Sequence, residues 1–254
     1  MRSTGPTAGP LQLDGLDLVV FDKDGTLIDF DAMWGAWAED LAERLEIALA
    51  HPITSDLHRE IGYDRHARRT IPGSPLAATP MAELRTMTTD LVIRTTGRSS
   101  VAAGAAVDAA WLPPDPVALA RPLADLDALF RGIRAGGRRI AIVTSDDRAP
   151  TEATVASLGL AGLVDALVCS DDGYPSKPAP DTLLHACRAL GVAPVRTAMI
   201  GDSIADMRMA AAAGVGRRIA VLSGIGIQAE LGPLSDVVID SIAELLPHWA
   251  IAAR

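Results

Sequence analysis

Six short apolar runs, rich in β-branched residues, constrain the fold of this chain more than any other feature of its sequence. They lie at residues 16–21, 139–143, 166–169, 197–200, 219–222 and 237–239. Helical patterns at about 123–135, 150–158, 180–190 and 203–213 separate them, and three of these patterns are closed by a glycine: Gly136, Gly159 and Gly214. Short strands alternating with helices are typical of a parallel sheet with helices on both faces. The sequence therefore predicts an α/β fold with a doubly wound, Rossmann-like core.

The long stretch between the first and second runs has a different pattern. Residues 29–116 contain no convincing strand and are expected to form helices at about 31–50, 54–69, 80–95 and 99–111, separated by prolines and Gly97. We therefore predict an all-helical cap domain at 29–116, inserted into a discontinuous core made of 11–28 and 117–254. Residues 1–10, with two Gly-Pro pairs, are expected to be a disordered tail.

Composition excludes several classes of function. Hydrophobic residues make up 49% of the chain, enough for a sizeable core, but none of its apolar stretches reaches the roughly 18 to 20 residues that span a bilayer. A net charge of −9 argues against nucleic acid as a partner. Two cysteines are too few for a disulfide framework, and the N-terminus lacks a signal-peptide pattern. We expect a cytoplasmic protein, monomeric or homodimeric, with no membrane partner.

Two aspartates follow the first strand directly. The run ends at Phe21, and Asp22, Asp24 and Gly25 come next. In open α/β sheets, ligands bind at the carboxyl ends of the strands, so Asp22 is expected at that edge with Asp24 close by. An ordinary polar turn also favours Asp and Gly, so this segment alone leaves both interpretations open.

Three further elements carry polar residues to the same edge. Thr144 and Ser145 follow the run at 139–143, Asp202 and Asp206 follow the run at 197–200, and Lys177 precedes a helix that begins with proline. Each has an ordinary explanation by itself, since Asp202, Ser203 or both fit a helix N-cap and a lone lysine is normally solvated. The four elements together are much harder to explain in that way.

Lysine is rare in this chain. Of its 23 basic residues two are lysines, Lys23 and Lys177, and the remaining 21 are arginines. Both lysines fall within the polar elements described above. A compact ammonium can place a point charge where a guanidinium imposes a planar fork, which indicates a specific role for Lys177. Strand alternation turns Lys23 away from the side that Asp22 uses, so we expect its retention to be incidental and Lys23→Arg to be mild.

Taken in order, these elements resemble the four motifs of the haloacid dehalogenase-like hydrolase superfamily. The matching segments are Asp22-Lys23-Asp24-Gly25-Thr26, then Thr144, then Lys177-Pro178-Ala179-Pro180-Asp181, then Gly201-Asp202-Ser203 with Asp206. The insertion resembles the helical cap of the branch that contains phosphoglycolate phosphatase and β-phosphoglucomutase. The ordered set, spaced over most of the chain, is highly specific.

The resemblance implies catalytic roles for four residues. Asp22 is the expected nucleophile, which would form an aspartyl-phosphate, and Asp24 the expected acid and base. Thr144, with Ser145 beside it, and Lys177 would bind the transferring phosphoryl group.

It also implies a Mg²⁺ ion. The expected metal site consists of Asp22, the backbone carbonyl of Asp24 and Asp202, with Asp206 orienting metal-bound waters or Lys177. A phosphate beside so many carboxylates would otherwise be repelled, so the cation has a clear electrostatic reason to be there.

The resulting expectation is a Mg²⁺-dependent phosphatase acting on a small phosphorylated metabolite. Within the superfamily, Asp24 favours phosphate-ester chemistry over dehalogenation. Two alternatives stay open: a phosphomutase that returns the phosphoryl group to a bound sugar phosphate, and a non-catalytic protein that binds phosphorylated metabolites.

Within the cap, the roles of Trp34, Trp37, Arg65, Arg68 and Arg69 also stay open. The tryptophans fit an apolar packing stripe better than a ligand contact. The arginines, at helical spacing i, i+3 and i+4, fit a solvated face better than an anion-binding patch.

Overall fold

The structure is a computed structural model that describes residues 14–249, so the tail expected at 1–10 lies outside the described residues. The chain forms two compact units. The first, called the α/β unit below, comprises the described residues 14–29 and 120–249. The second, called the helical unit, is Phe30–Leu119. No helix among the described residues is long and apolar enough to cross a membrane.

The α/β unit is built on a six-stranded parallel sheet, which confirms the predicted fold class. Its strands are β1 (Leu18–Phe21), β4 (Arg139–Val143), β5 (Ala166–Val168), β6 (Thr197–Gly201), β7 (Arg217–Val221) and β8 (Val237–Ile239). The order β5-β4-β1-β6-β7-β8 places β1 between β4 and β6, with Phe21 in register with Ile142 on one side and Ile200 on the other. The chain reverses its winding direction around β1, which is where open α/β sheets bind ligands.

Helices follow the strands; the first four lie where the apolar patterns predict them, whereas the last two, of four residues each, were not predicted. They are α6 (Leu126–Ala135), α7 (Arg148–Ser157), α8 (Asp181–Ala189), α9 (Ile204–Ala213), α10 (Gln228–Leu231) and α11 (Leu246–Trp249). Leu183 of α8 and Met209 of α9 are fully buried against Leu18 and Val20 of β1. This packing fixes the start of α9 beside the carboxyl end of β6, where Asp202 stands.

The helical unit has its own hydrophobic core. A π-helical turn at Asp31–Gly35 continues into α1 (Ala36–Leu49), and α2 (Thr54–Ile61), α3 (Pro75–Ala78), α4 (Met81–Thr96) and α5 (Ser100–Ala110) follow. Trp37 is 1% exposed, stacks edge-on against Trp111 with ring centroids 5.0 Å apart, and donates from Nε1 to the carbonyl of Leu112 at 2.8 Å. Trp34 packs partly buried against the same core. The tryptophans therefore serve packing, the interpretation that the sequence favoured.

The helix expected at 54–69 is wrong in its second half. Helix α2 ends at Ile61, and Gly62 adopts the left-handed conformation with φ +77°. Tyr63–Asp64 (β2) then pairs antiparallel with Arg69–Thr70 (β3). Asp64 Oδ1 accepts hydrogen bonds from two backbone amides within the intervening turn, at 2.9 and 3.0 Å, a local bond that competes with helix formation. The insertion is therefore not entirely helical, and Arg65, Arg68 and Arg69 share no helix face.

Candidate active site

A tight loop after β1 brings two aspartates to the edge of the sheet. The Asp22 amide donates to the carbonyl of Ile200 at 2.9 Å, which extends the pairing of β1 with β6. The loop is closed by the Gly25 amide, which donates to the Ile28 carbonyl at 2.7 Å. Gly25 has φ +83°, and a Cβ at that position would lie 2.5 Å from Asp202 Oδ2. The glycine is needed both for the turn and for this close approach.

Three buried carboxylates converge beside this loop. One oxygen each from Asp22, Asp202 and Asp206 lie within 4.8 Å of one another. Asp202 is 1% exposed and is held by the Thr26 hydroxyl at 3.1 Å and by the Ile225 amide at 2.9 Å. Burial, and after it the charges of the other two carboxylates, raises the pKa of Asp202 well above its usual range. Burial likewise raises the pKa of Asp22 to about 7, although Lys177 opposes the shift.

This cluster fits a hard divalent cation. Its donors are carboxylate oxygens, the ligands that Mg²⁺ prefers. Burial first, and the charges of the neighbouring carboxylates after it, disfavour the ionised forms of Asp22 and Asp202, and a bound cation would favour them. The Asp24 carboxylate lies outside the cluster, because its Oδ1 is bound to Lys23.

Lys177 joins two members of the cluster. Its ammonium lies 2.6 Å from Asp22 Oδ1 and 2.7 Å from Asp206 Oδ1, with the lysine side chain 6% exposed. Burial acts to lower the pKa of Lys177, but the two carboxylates outweigh it and raise the pKa. Asp206 is itself fixed by Ser203, whose hydroxyl donates to Asp206 Oδ2 at 2.6 Å and accepts from the Asp206 amide at 3.1 Å. Ser203 is thus the N-cap of α9, and Asp202 stands one residue before it.

A second buried lysine occupies the other side of the loop. Lys23 is 2% exposed, and its ammonium lies 2.7 Å from Asp24 Oδ1 and 2.9 Å from Asp146 Oδ2. Burial raises the pKa of Asp146 to about 6, with Asp24 adding to the shift and Lys23 opposing it. The sequence alone identified no partner for Lys23, whereas the structure holds its buried ammonium between two carboxylates, which is a specific arrangement. Asp146 was missed, although the scarcity of lysine already marked Lys23, and a buried lysine requires an acidic partner.

Thr144 and Ser145 lie at the end of β4, the neighbour of β1. Thr144 is buried, its amide donates to the Val168 carbonyl at 3.0 Å, and its hydroxyl accepts from the Asp146 amide at 3.1 Å. Ser145 is exposed. The structure thus places both residues at the sheet edge where the sequence predicted them.

The three arginines whose role the sequence left open, Arg65, Arg68 and Arg69, have partners within the helical unit. Arg65 Nε lies 3.3 Å from Glu39 Oε2, and Arg69 Nε lies 3.9 Å from Asp31 Oδ2. Arg68 interacts with the Tyr63 hydroxyl. These pairs fit a solvated, locally paired surface.

Comparison with known proteins identifies the class. Residues 16–214 match the family model of the haloacid dehalogenase-like hydrolases, and the chain belongs to this family. It is similar to a phosphoglycolate phosphatase of Cupriavidus necator, with 35% identity over 138 residues, which are 51% of this chain and 58% of that protein. The matched region is thus less than two thirds of that relative's length.

Two further comparisons cover more of the chain. The fructose-1-phosphate phosphatase YqaB of Escherichia coli is 28% identical over 198 residues, which cover 78% of this chain and 92% of that protein. A hydrolase of the same family from Deinococcus radiodurans, solved with bound phosphate and sodium, superposes with a TM-score of 0.61 at 20% identity. That superposition covers 91% of this chain and 93% of the other. The structural likeness concerns the fold.

Proposed function

We propose that this protein is a Mg²⁺-dependent phosphatase that hydrolyses a small phosphomonoester through an aspartyl-phosphate. The observation that carries the proposal is the contact of Lys177 with both Asp22 and Asp206, beside the buried Asp202. A carboxylate at the end of β1 is thereby held by an ammonium where a dianionic phosphate must also be bound. The phosphatases among the relatives support this function.

In the first half-reaction, Asp22 attacks the substrate phosphorus. Lys177 holds Oδ1 of Asp22, and we assign Oδ2 as the attacking oxygen. A bond forms between Oδ2 and phosphorus while the bond from phosphorus to the substrate oxygen breaks, in line with the attack. Asp24 gives its proton to the departing alkoxide, so the alcohol leaves neutral.

In the second half-reaction, water hydrolyses the aspartyl-phosphate. Asp24, now ionised, takes a proton from the attacking water, whose oxygen bonds to phosphorus as the bond to Asp22 breaks. Inorganic phosphate leaves, and both aspartates return to their starting states. Lys177, the Thr144 hydroxyl and the main chain at Ser145 are the groups that we assign to the phosphoryl oxygens.

Asp22, Asp202 and Asp206 are the residues that would hold or orient the metal, together with the Asp24 backbone carbonyl. When bound, Mg²⁺ supplies positive charge that offsets the repulsion between the carboxylates and the phosphate. Asp206 already binds Lys177 and Ser203, so we assign it to orienting these groups and metal-bound waters rather than to direct ligation.

The names of similar proteins, which are phosphatases of phosphoglycolate, fructose 1-phosphate and N-acetylmuramic acid 6-phosphate, support a small phosphorylated metabolite as the substrate. We propose a phosphorylated metabolite of this size. A cytoplasmic setting is in keeping with two free, buried thiols, Cys169 and Cys187.

The test measures phosphate release from p-nitrophenyl phosphate and from a panel of alkyl phosphates. The panel consists of phosphoglycolate, fructose 1-phosphate, N-acetylmuramic acid 6-phosphate and β-glucose 1-phosphate. We expect turnover with Mg²⁺, loss in EDTA and recovery on adding Mg²⁺. Asp22→Asn should abolish turnover and prevent phosphorylation of the protein, whereas Asp14→Asn, at an exposed aspartate, should retain turnover. Undiminished rates in EDTA, or a phosphorylated Asp22→Asn protein, would contradict the proposal. Isomerisation of β-glucose 1-phosphate without release of phosphate would show a mutase instead.

A further inference from the structure

The two lysines of the chain divide four carboxylates between them. Lys177 binds Asp22 and Asp206, whereas Lys23 binds Asp24 and Asp146. The first pair of carboxylates belongs to the nucleophile and the acidic cluster. The second pair joins the proposed acid and base to a residue for which the family motifs provide no role.

Both ends of the Lys23 contact are fixed by the main chain. The Lys23 carbonyl accepts from the Leu27 amide at 2.8 Å and from the Ile28 amide at 3.1 Å, which closes the loop around Asp24. The Asp146 amide donates to the Thr144 hydroxyl at 3.1 Å, and the Asp146 carbonyl accepts from the Ser170 amide at 2.9 Å. The main chain of Asp146, three residues after the end of β4, is thus hydrogen-bonded at both its amide and its carbonyl.

Stability is a weak reason for this arrangement. Placing an ammonium and two carboxylates where they are largely shielded from water costs desolvation, and apolar side chains of similar volume are often as stabilising as a buried ion pair. Asp24 side-chain exposure is 13% and that of Asp146 is 22%, whereas Lys23 is 2% exposed. Lys23 is thus the most buried side chain of the three.

We propose that Asp146 is a positioning residue that acts through Lys23 on the Asp24 carboxylate. The proposal rests on the proposed function, in which Asp24 is the acid and base. A lysine side chain with four methylene groups and one partner retains rotational freedom. The second contact, to Asp146, fixes the ammonium, and the ammonium then fixes Asp24 Oδ1.

The test uses the different demands of two leaving groups. An alkyl oxygen must be protonated as it departs, whereas p-nitrophenolate leaves without an acid. The ratio kcat/KM reports the steps through phosphorylation of Asp22. For Asp146→Asn, we expect kcat/KM to fall about tenfold or more with the fastest alkyl phosphate of the panel, but less than about twofold with p-nitrophenyl phosphate. Where hydrolysis of the aspartyl-phosphate limits kcat, the kcat of Asp146→Asn should fall with both substrates, because Asp24 is the base in that shared step.

Two variants secure the interpretation. Asp146→Glu keeps a carboxylate to pair with the buried ammonium but displaces it, so it should show the same selective loss at smaller magnitude. Asp147→Asn changes the adjacent exposed aspartate, which accepts from the Ser170 hydroxyl, and should leave both kcat/KM values within about twofold of the parent protein. Equal losses on the two substrates for Asp146→Asn and Asp146→Glu would assign Asp146 a structural role and overturn the proposal.

The same measurements separate this inference from the proposed function. Asp24→Asn should lose far more activity with the alkyl phosphate than with p-nitrophenyl phosphate. If Asp24→Asn shows no such selectivity, the acid role of Asp24 fails, and the inference about Asp146 fails with it. If Asp24→Asn shows the selectivity and both Asp146 variants do not, the inference alone is refuted.

Discussion

Both units of the molecule carry arginine–carboxylate pairs at the surface, but the α/β unit also buries positive charge. Both lysines lie in the α/β unit, where each is buried between two carboxylates. The helical unit contains eight arginines and no lysine. Its ion pairs join one arginine to one carboxylate at the surface, as in Arg59 with Asp56 at 2.8 Å and Arg94 with Glu60 at 2.9 Å.

The difference follows from solvation. An exposed pair gains little because water screens the charges, and such pairs typically contribute about 0.2 to 1 kcal/mol. A buried ammonium interacts strongly with its neighbours. Its attraction to the carboxylates offsets the cost of desolvation only when the charges are correctly placed, so a small displacement is costly. The same formal charge is therefore expected to be replaceable in the helical unit and irreplaceable at the edge of the sheet.

Among substitutions that keep the positive charge, Lys177→Arg is expected to lower kcat the most. The guanidinium is a wide planar fork and cannot occupy the space between Asp22 and Asp206 in the way the ammonium does. We expect folding and Mg²⁺ binding to persist and kcat to fall by about 10² or more, as when one preorganised charge is misplaced. Steady-state kinetics, with melting temperature as a check on folding, measure this.

The matched control is the reverse exchange on the following helix. Arg188 is exposed on α8, and Arg188→Lys should leave kcat unchanged. If Lys177→Arg keeps kcat near that of the parent protein, charge alone suffices at this site, and the contrast between the two units collapses.

Lys23→Arg should have the next largest effect. Because Lys23 contacts Asp24 and not the nucleophile, the loss is expected to be about tenfold in kcat/KM with an alkyl phosphate and smaller with p-nitrophenyl phosphate. This is a stronger effect than the sequence led us to expect, since burial against two carboxylates leaves little room for a guanidinium. If Lys23→Arg lost as much activity as Lys177→Arg on both substrates, the two lysines would not have separate roles.

The sheet and most of the site could be predicted because both depend on local sequence signals. Apolar runs of strand length fixed the positions of the six strands to within a few residues. Parallel strands deliver their carboxyl ends to a single edge, so Asp22, Thr144 and Asp202 had to gather there.

Other features depend on contacts between distant residues. Nothing in the sequence distinguishes Asp146 from the adjacent Asp147, because only the fold shows which carboxylate meets Lys23. The hairpin at Tyr63–Thr70 was missed for a local reason: Gly62 and Asp64 are turn signals, but the surrounding residues also fit a helical repeat. The spacing of the arginines then indicated a helix face that does not exist.

The smallest effect on activity is expected for the exposed arginines of the helical unit, because the comparison predicts that their charge can be replaced. Arg65, Arg68 and Arg69 lie on the hairpin of the helical unit, and two of their side chains are 64% and 71% exposed. Each has a partner within that unit, so replacing all three by alanine should change kcat/KM by less than about threefold across the substrate panel and cost little stability. Arg59→Ala with Arg94→Ala provides a control for lost surface charge. A selective rise in KM for substrates that carry a carboxylate or a second phosphate, absent from the control, would instead show that the hairpin recognises an anion. The positive charges of the helical unit would then be as specific as those of the two buried lysines. Side-chain exposure would not predict which basic residues of this protein can be replaced without loss of activity.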